Sequence, residues 1–498
     1  MNMSAAQRQP TESHPDDDIA AAGAPIQDPI LHAIAPGPDV EPPLQELLKE
    51  SNFDSDKAAT GGPPAGRTTL EEARRGGPLG LLHLLGPGLI TGASDDDPSG
   101  IGTYSQVGSQ FGFALLWTAA FTFPLMAAMQ ELCSRIALQT GVGLGISLRR
   151  KFPTWLVGIA IFALFCANTI NVGADLGAVA AGGSMLTRGA VPQLWLVVPV
   201  ALLILGMQFF VSYTLIFKTF KWLTLALFAY VITAFIVHPD LGTVFMASVV
   251  PSFQFTPDYI TALVAIFGTT ISPYLFFWQA SSEVDEMRAA GKLTEADRRG
   301  VKLSELKAAR TDIFIGMLFS NVVMYAIIVT SAAVLHAHGK TDVQTADQAA
   351  QALAPLAGPW AFVLFAGGMI GTGLLAIPIL SGSAAYAVKE FLGLKGALSV
   401  KPWYRPTFYG VIALSTIVGV VLNLLHIDPI RALFLTAVIN GVVAPPLMVL
   451  IVLLGSDRAL MADKASGWVS KTFTWIATGV MGAAAIALLL TFTPLFKH

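Results

Sequence analysis

Long apolar runs separated by short polar stretches make up the chain from about residue 80 to its end. An apolar run of about twenty residues, folded as a helix, matches the thickness of a bilayer core. The pattern predicts eleven such spans, at 80–110, 113–138, 153–181, 192–212, 216–238, 259–282, 311–337, 358–390, 407–425, 430–454 and 471–494. We therefore expect an all-α polytopic membrane protein with eleven transmembrane helices.

The first 75 residues follow a different pattern, polar and rich in proline, alanine and acidic residues. Such a stretch buries too little apolar surface to fold alone. The sequence thus predicts a disordered tail over residues 1–75 and a transmembrane domain over residues 76–498.

Composition supports the membrane assignment. Only 13% of the 498 residues are charged and the mean hydropathy is +0.62, whereas a soluble domain carries about 25% charged residues. The net charge of −3 gives no basic surface for a nucleic acid, so the expected partner is the lipid bilayer. The two cysteines, Cys133 and Cys166, lie in separate apolar runs, and we expect packing thiols rather than a disulfide or a metal motif.

The charges of the loops predict an orientation. If the N-terminal tail is cytoplasmic, twenty of the 30 lysines and arginines fall in inner segments and four in outer ones. Basic residues accumulate in cytoplasmic loops, so this split favours a cytoplasmic N-terminus and a C-terminus outside.

Two spans contain a proline after polar residues near their middle. Residues 97–100 (Asp-Pro-Ser-Gly) interrupt the first span, and residues 272–274 (Ser-Pro-Tyr) interrupt the sixth. Proline removes a backbone donor and clashes with the preceding turn, so a helix opens there. Opened backbone inside a membrane occurs where it lines a cavity or is buried in protein. Because spans 1 and 6 correspond in two five-span halves, the breaks predict an inverted-repeat transporter with its site at the midplane.

Asp97 is the main candidate ligand at the first break. A carboxylate inside a bilayer is costly and usually functional, and with nearby carbonyls and hydroxyls it forms a hard, oxygen-rich cation site. Alternatively, Asp95, Asp96 and Asp97 form a solvated loop, although the apolar flanks are too short to span separately. We expect Asp95 and Asp96 to face water in a vestibule.

At the second break, we expect Ser272 and the carbonyl group of Thr269, one turn earlier, to face the same cavity as Asp97. The alternative is a proline kink that serves packing only. Asp175 lies in the third span, with Asn168 and Asn171 near it. It fits a functional carboxylate and, equally well, a structural hydrogen bond between helices.

Other polar residues have simpler interpretations. Three are expected to hydrogen-bond between helices: Asn321, Thr372 and Asn440. Three acidic residues after the sixth break are expected in a solvated segment: Glu283, Asp285 and Glu286.

Over roughly residues 80–495 the chain resembles the Nramp family of divalent-metal transporters. The family's first span runs from Gly-Pro to Asp-Pro-Gly-Asn, and here residues 86–87 (Gly-Pro) lead to residues 97–100 at the same spacing. Residues 129–132 (Met-Gln-Glu-Leu), Arg135 and residues 140–141 (Thr-Gly) resemble the end of its second span, and residues 175–176 resemble its third-span Asp-Leu. The resemblance implies a LeuT-type fold with two inverted five-helix repeats and broken helices 1 and 6. It also implies alternating access, a divalent cation as transported substrate, no resident cofactor and no enzymatic activity.

The chain departs from the family motif at four positions. The family's ligands Asn and Met correspond to Gly100 and Ser272, its sixth-span His to Tyr274, and a third-span Glu to Ala178. Losing the thioether removes the soft ligand that favours transition metals, and the smaller side chains leave room for a hydrated ion such as Mg²⁺. The pattern resembles the Nramp-related magnesium transporter branch, which is thought to carry Mg²⁺ and Mn²⁺ without proton coupling.

The resemblance also implies the site residues. The implied metal site comprises Asp97, Gly100, Ser94, Thr269 and Ser272, with Ser94 and Thr269 offering carbonyl oxygens. The implied surroundings or pathway comprise Asp95, Asp96, Tyr274, Asp175 and Asn440.

Two other functions involve carboxylates inside the spans. A proton-coupled Mn²⁺/Fe²⁺ symporter of the ordinary Nramp type is kept open by Asp175. An intramembrane aspartyl protease needs two facing aspartates, one in a Gly-x-Gly-Asp setting, and no span has that sequence. The resemblance favours a bacterial inner membrane, and the sequence leaves the oligomeric state open.

Overall fold

A computed structural model describes residues 87–211, 225–394, 405–425 and 428–492, and every regular element within those ranges is helical. The tail predicted for residues 1–75 lies outside the described residues, and so do residues 76–86 of the predicted membrane domain.

The first half of the chain contains eight α-helices in the described ranges. They are α1 (Pro87–Asp95), α2 (Pro98–Phe111), α3 (Trp117–Thr140), α4 (Leu144–Lys151), α5 (Thr154–Leu186), α6 (Gln193–Phe210), α7 (Phe228–Ile236) and α8 (Leu241–Val249). A 3₁₀ turn, Leu225–Leu227, precedes α7.

The second half contains eleven α-helices in the described ranges. They are α9 (Pro257–Thr270), α10 (Pro273–Ala289), α11 (Glu295–Arg298), α12 (Leu303–Val334), α13 (Ala346–Ala350), α14 (Ala354–Ala357), α15 (Ala361–Leu392), α16 (Pro406–Asn423), α17 (Pro429–Gly455), α18 (Arg458–Met461) and α19 (Trp468–Thr491). Short 3₁₀ turns occur at His336–His338, Gln351–Leu353, Gly358–Trp360 and Ala462–Lys464.

Each predicted span overlaps a helix, but the count of eleven stays a prediction. Among the described residues, eight segments are long and apolar enough to cross a membrane. Three predicted spans are not among these eight. Residues 80–110 are split into two short helices, and residues 113–138 end in polar residues. Residues 216–238 lie partly outside the described ranges.

Proline places both helix breaks. Helix α1 ends at Asp95 and α2 begins at Pro98, while α9 ends at Thr270 and α10 begins at Pro273. Each proline is the first residue of the second half-helix, where its missing N–H needs no partner and its fixed φ suits the helix. The predicted breaks in spans 1 and 6 are therefore present.

The half-helices of both broken spans pack against long helices of the bundle. Helix α1 of the first broken span packs against α12, and α10 of the sixth packs against α3. Helices α2 and α9 both pack against α17, and α5 packs along α15. The two breaks are thereby held near each other inside the bundle.

Glycines allow two of these contacts to be very close. A Cβ atom added to Gly92 of α1 would lie 2.2 Å from the carbonyl oxygen of Gly316 on α12. One added to Gly268 of α9 would lie 2.0 Å from the carbonyl oxygen of Ala437 on α17. Small residues let helices in membranes approach backbone to backbone, and here they seat α1 and α9 beside the breaks.

Helix α1 receives its N-terminal cap from a different helix. The carboxylate of Asp312 on α12 accepts hydrogen bonds from the amides of Gly88 at 2.8 Å and Leu89 at 3.1 Å. These amides have no partner within the helix, so the carboxylate satisfies two of its open donors and fixes α1 on α12.

Two expectations about single residues have clear outcomes. Cys133 and Cys166 are free thiols, as predicted. The solvated segment predicted for Glu283, Asp285 and Glu286 is wrong, because α10 continues through all three and Glu283 is fully buried. The apolar face that follows Pro273 extends the helix past the point where the acidic residues begin.

Candidate cation site

Asp97 caps the second half of the broken first span. Its backbone is extended, with φ −69° and ψ 169°, and its Oδ1 accepts hydrogen bonds from Ser99 Oγ at 2.7 Å and from the Gly100 amide at 2.8 Å. Within the described ranges, the other oxygen, Oδ2, has two contacts, both 3.4 Å long, from Asn171 Nδ2 and the Tyr274 hydroxyl. One carboxylate oxygen is thus bound to the helix end and the other is loosely held.

The two breaks meet, as the sequence predicted. The Tyr274 hydroxyl donates to the carbonyl oxygen of Ser94 at 2.9 Å, and Ser99 Oγ lies 3.4 Å from Thr269 Oγ1. The tyrosine hydroxyl therefore lies where the Ser94 carbonyl and the loosely held Asp97 oxygen converge.

Ser272 is bonded within its own break. Its hydroxyl lies 2.8 Å from the Thr269 carbonyl oxygen and 3.1 Å from the Gly268 carbonyl oxygen, and it donates to that last turn of α9. Two predicted ligands, the Ser272 hydroxyl and the Thr269 carbonyl, are consequently bonded to each other. The bond uses the serine hydrogen and one lone pair of the carbonyl oxygen, so both oxygens keep lone pairs that a cation could use.

The space expected beside Gly100 is occupied by neighbouring atoms. A Cβ atom there would lie 3.2 Å from Tyr104 Cε2 and 3.5 Å from both the Asp95 carbonyl oxygen and Thr269 Oγ1. The edge of the Tyr104 ring fills the position that a larger side chain would take. The expectation of open room for water is not met unless Tyr104 moves.

Asp95 and Asp96 are buried, with exposures of 0% and 1%, so the expectation that they face water is wrong. Ser320 on α12 approaches both of them, 2.7 Å from Asp95 Oδ2 and 3.1 Å from Asp96 Oδ1. The packing of α1 on α12 removes this pair from solvent. Nothing in the sequence distinguishes Ser320 from the other hydroxyl residues of its span, because its role depends on the packing of α12 on α1.

Asp175 lies on α5, fully buried, and faces the start of α2. The Ser99 amide approaches its carboxylate without completing a hydrogen bond, so neither oxygen has a partner within the described ranges. One turn earlier on the same helix, Asn171 contacts Asp97. A bond between helices is made by Asn168, whose amide donates to the Leu380 carbonyl oxygen on α15 at 3.3 Å.

The interhelical bonds expected for three other polar residues are not in place among the described residues. Neither side-chain atom of the buried Asn440 has a partner, and the side-chain oxygen of Asn321 has none. Thr372 contacts only the Met369 carbonyl oxygen of its own helix, at 3.4 Å. Asn440 therefore remains a polar group without a structural explanation.

A row of buried polar groups links α1, α10 and α3, and we call it the polar chain. Thr91 Oγ1 lies 2.5 Å from Gln279 Oε1, and Gln279 Nε2 donates to Glu283 Oε1 at 3.0 Å. Ser134 Oγ donates to the same Glu283 oxygen at 2.7 Å. The spacing of Gln279 and Glu283, four residues apart on one helix face, could have suggested their pairing.

The site is strongly acidic. Asp95, Asp96, Asp97 and Asp175 are all buried around the first break, and none forms a salt bridge with any described residue. Buried carboxylates are normally paired, protonated or bound to a metal ion. Within the described ranges, no group of three or more His, Cys, Asp or Glu has the arrangement of a metal cluster. A cation here would therefore rely on carboxylate, hydroxyl and carbonyl oxygens together.

Most of the chain matches the model of a known protein family. Residues 88–491 match the model described as natural resistance-associated macrophage protein-like, Nramp. The match covers both breaks and all the candidate residues.

Two curated relatives are bacterial. The chain is 28% identical over 417 residues to the divalent metal cation transporter MntH of Xanthomonas campestris pv. campestris, covering 81% of this chain and 89% of that protein. It is 24% identical over 400 residues to the MntH of Klebsiella pneumoniae, covering 78% and 91%.

Solved structures share the fold. A manganese transporter from Eremococcus coleocola superposes with a TM-score of 0.67 at 16% identity, covering 83% of this chain and 88% of that one. Mhp1, a nucleobase-cation-symport-1 family transporter, superposes with a TM-score of 0.51 at 16% identity, covering 83% and 92%. At these identities the likeness shows the fold alone, which is LeuT-like.

Proposed function

The chain belongs to the Nramp family, and on that premise we propose that its paired helix breaks bind the transported ion at Asp97. It carries divalent metal cations across a membrane and is a transporter rather than an enzyme. The bacterial relatives and the loop charges support a plasma membrane location with a cytoplasmic N-terminus and an external C-terminus.

The ion binds where oxygens of both breaks converge. Asp97 Oδ2 supplies the charge and the Ser94 carbonyl a second ligand, once the Tyr274 hydroxyl that contacts both has moved aside. The Ser272 hydroxyl and the Thr269 carbonyl, which are hydrogen-bonded to each other, add two more oxygens from the second break. Because these groups hydrogen-bond to one another, we expect the site to rearrange around the ion as it binds.

The cargo is Mg²⁺ together with Mn²⁺. The observation that carries this is the donor set: the side chains of Asp97, Ser272 and Tyr274 at the breaks offer only oxygen. Carboxylate, carbonyl and water ligands suit Mg²⁺ and Mn²⁺, whereas a thioether selects softer metals. Because Mg²⁺ keeps several of its waters, its binding also requires Tyr104 to move away from Gly100.

Transport proceeds without a coupled proton. Tyr274 and Ala178 stand where the family motif carries a histidine and a glutamate. A tyrosine has an unperturbed pKa of about 10, so it does not exchange a proton near neutral pH as histidine does.

A second candidate function is proton-coupled symport of Mn²⁺ or Fe²⁺. The relatives favour this cargo over Mg²⁺. Two of them are divalent metal cation transporters of the MntH type, and a structural neighbour is a manganese transporter. Asp175, buried and close to Asp97, is the carboxylate that such coupling would use.

Ion flux into proteoliposomes separates the two. We expect Mg²⁺ to enter by itself and to slow Mn²⁺ uptake in competition, while a luminal pH dye stays constant. Proton-coupled symport would instead be supported if Mg²⁺ did not inhibit Mn²⁺ uptake and the lumen acidified as Mn²⁺ entered. Liposomes containing Asp97→Asn protein from the same preparation give the background.

A further inference from the structure

A single hydroxyl lies between two buried carboxylates beside the first break. Ser320 Oγ on α12 is 2.7 Å from Asp95 Oδ2 and 3.1 Å from Asp96 Oδ1. A hydroxyl has one hydrogen and can donate to only one of these oxygens. When both carboxylates are ionised, the other close pair brings together two oxygens with no hydrogen between them, which a cation between them would stabilise.

The remaining oxygens of the pair also lack partners. Asp95 Oδ1 and Asp96 Oδ2 are buried and hydrogen-bond to no described residue. Neither carboxylate forms a salt bridge within the described ranges. Burying two such groups is costly unless they are protonated or a cation accompanies them.

Tyr104 of α2 adds another buried oxygen near the first break. The residue is fully buried, and its hydroxyl has no hydrogen-bond partner among the described residues. Its ring lies against Gly100, and its hydroxyl lies beside Thr269 and within electrostatic reach of Asp95 and Asp96. Helices α1, α2 and α12 thus each place a polar oxygen close to the first break.

We propose that Asp95, Asp96, Ser320 and Tyr104 form a second divalent-cation site next to the Asp97 site. The donors are all hard oxygens, which suit Mg²⁺ and Mn²⁺. Two carboxylates match the charge of one divalent ion. The inference rests on the proposed function in taking Asp97 as the first site.

The two sites are adjacent, because Asp96 and Asp97 are consecutive residues of the polypeptide. Two cations held so close repel each other, and conduction through adjacent sites depends on such mutual weakening. An ion at the second site therefore promotes release of the ion held by Asp97.

Counting bound Mn²⁺ tests the proposal. Equilibrium dialysis of the purified full chain in detergent is expected to give two Mn²⁺ per wild-type chain. The Asp95→Asn/Asp96→Asn double variant and the Asp97→Asn variant should each bind one. Electron paramagnetic resonance should show spin–spin broadening in the wild type and isolated Mn²⁺ lines in both variants.

A milder variant protects the test against misfolding. Ser320→Ala should weaken the second binding step about tenfold, the loss typical of a supporting ligand contact. Ser331→Ala is the matched control, since Ser331 is a buried hydroxyl on the same helix with no hydrogen-bond partner among the described residues. It should leave both binding steps unchanged.

The outcomes are distinct. One ion in the wild type, lost in Asp97→Asn and kept in the double variant, overturns the second site and leaves the proposed function intact. Two ions in the wild type, both kept in Asp97→Asn, overturn the proposed function instead. If the double variant does not fold, an unchanged second step in Ser320→Ala overturns the inference.

Discussion

The Tyr274 hydroxyl donates a hydrogen bond to the Ser94 carbonyl oxygen at 2.9 Å, joining the two helix breaks. It also lies 3.4 Å from Asp97 Oδ2. Both acceptors are proposed ligands of the transported ion. The hydroxyl therefore competes with the cation, and the strength of that competition can be measured.

Tyr274→Phe should raise the apparent affinity for Mn²⁺. The variant removes a hydrogen bond that the ion must break, and a net contribution of about 1 kcal/mol corresponds to roughly a fivefold lower KM. The KM of Mn²⁺ uptake into proteoliposomes is the measurement, with Tyr230→Phe on α7 as a control for loss of a buried hydroxyl. A higher KM in Tyr274→Phe would show that the hydroxyl is a ligand and not a competitor.

Asp97→Asn should abolish transport while preserving the fold. Asparagine caps a helix about as well as aspartate, so the bonds to Ser99 and Gly100 can persist while the charge is lost. Uptake of Mn²⁺ should fall to that of protein-free liposomes, and the melting temperature should stay near the wild-type value.

The matched control is Asp240→Asn. Asp240 caps α8 through the Thr243 amide, at an exposed position outside the breaks. The same substitution there should leave uptake unchanged. Normal flux in Asp97→Asn would reduce Asp97 to a helix cap.

Ser272→Met should shift selectivity toward softer metals. The substitution puts a thioether at the second break and removes the hydroxyl that holds the Thr269 carbonyl. We expect inhibition of Mn²⁺ uptake by Cd²⁺ to become stronger and inhibition by Mg²⁺ weaker. Ser272→Leu supplies similar bulk without sulfur, and an equal shift in that variant would assign the effect to size.

The breaks could be predicted because their causes are local. Pro98 and Pro273 each follow polar residues within an apolar span, and a helix break lies directly before each. Pro124, Pro199 and Pro378, which have apolar neighbours, lie inside continuous helices. The correspondence of the two halves predicted that Asp97 and Thr269 lie near each other, whereas Ser94 was assigned from the resemblance to the family motif.

The rest depends on contacts distant in sequence. Whether Asp95 and Asp96 face water or protein is decided by α12, more than 200 residues later, where Ser320 approaches both. Glu283 looks solvated in the sequence because acidic neighbours follow it, yet α3 supplies Ser134 to bury and bond it. Periodicity identifies the spans but not the helix that each face meets.

The last prediction concerns the polar chain. Glu283 accepts hydrogen bonds from Gln279 and Ser134, and Gln279 in turn contacts Thr91 of α1. Glu283→Leu leaves two buried donors without this acceptor, which costs about 1–3 kcal/mol for each group left unsatisfied. The polar chain connects α1 to α10 and α3. We therefore expect α1 to unfold locally more often in this variant.

Hydrogen–deuterium exchange of peptides from α1 measures that opening. A loss of about 1.4 kcal/mol raises the open population tenfold, so exchange in residues 87–95 should accelerate at least tenfold in Glu283→Leu. Glu390→Leu is the matched control: Glu390 is also buried, but it bonds the Gly145 amide and Ser281, neither of which lies on α1. Faster exchange in α1 for both variants would indicate general destabilisation, whereas faster exchange in Glu283→Leu alone would identify the polar chain as the contact that holds α1 closed.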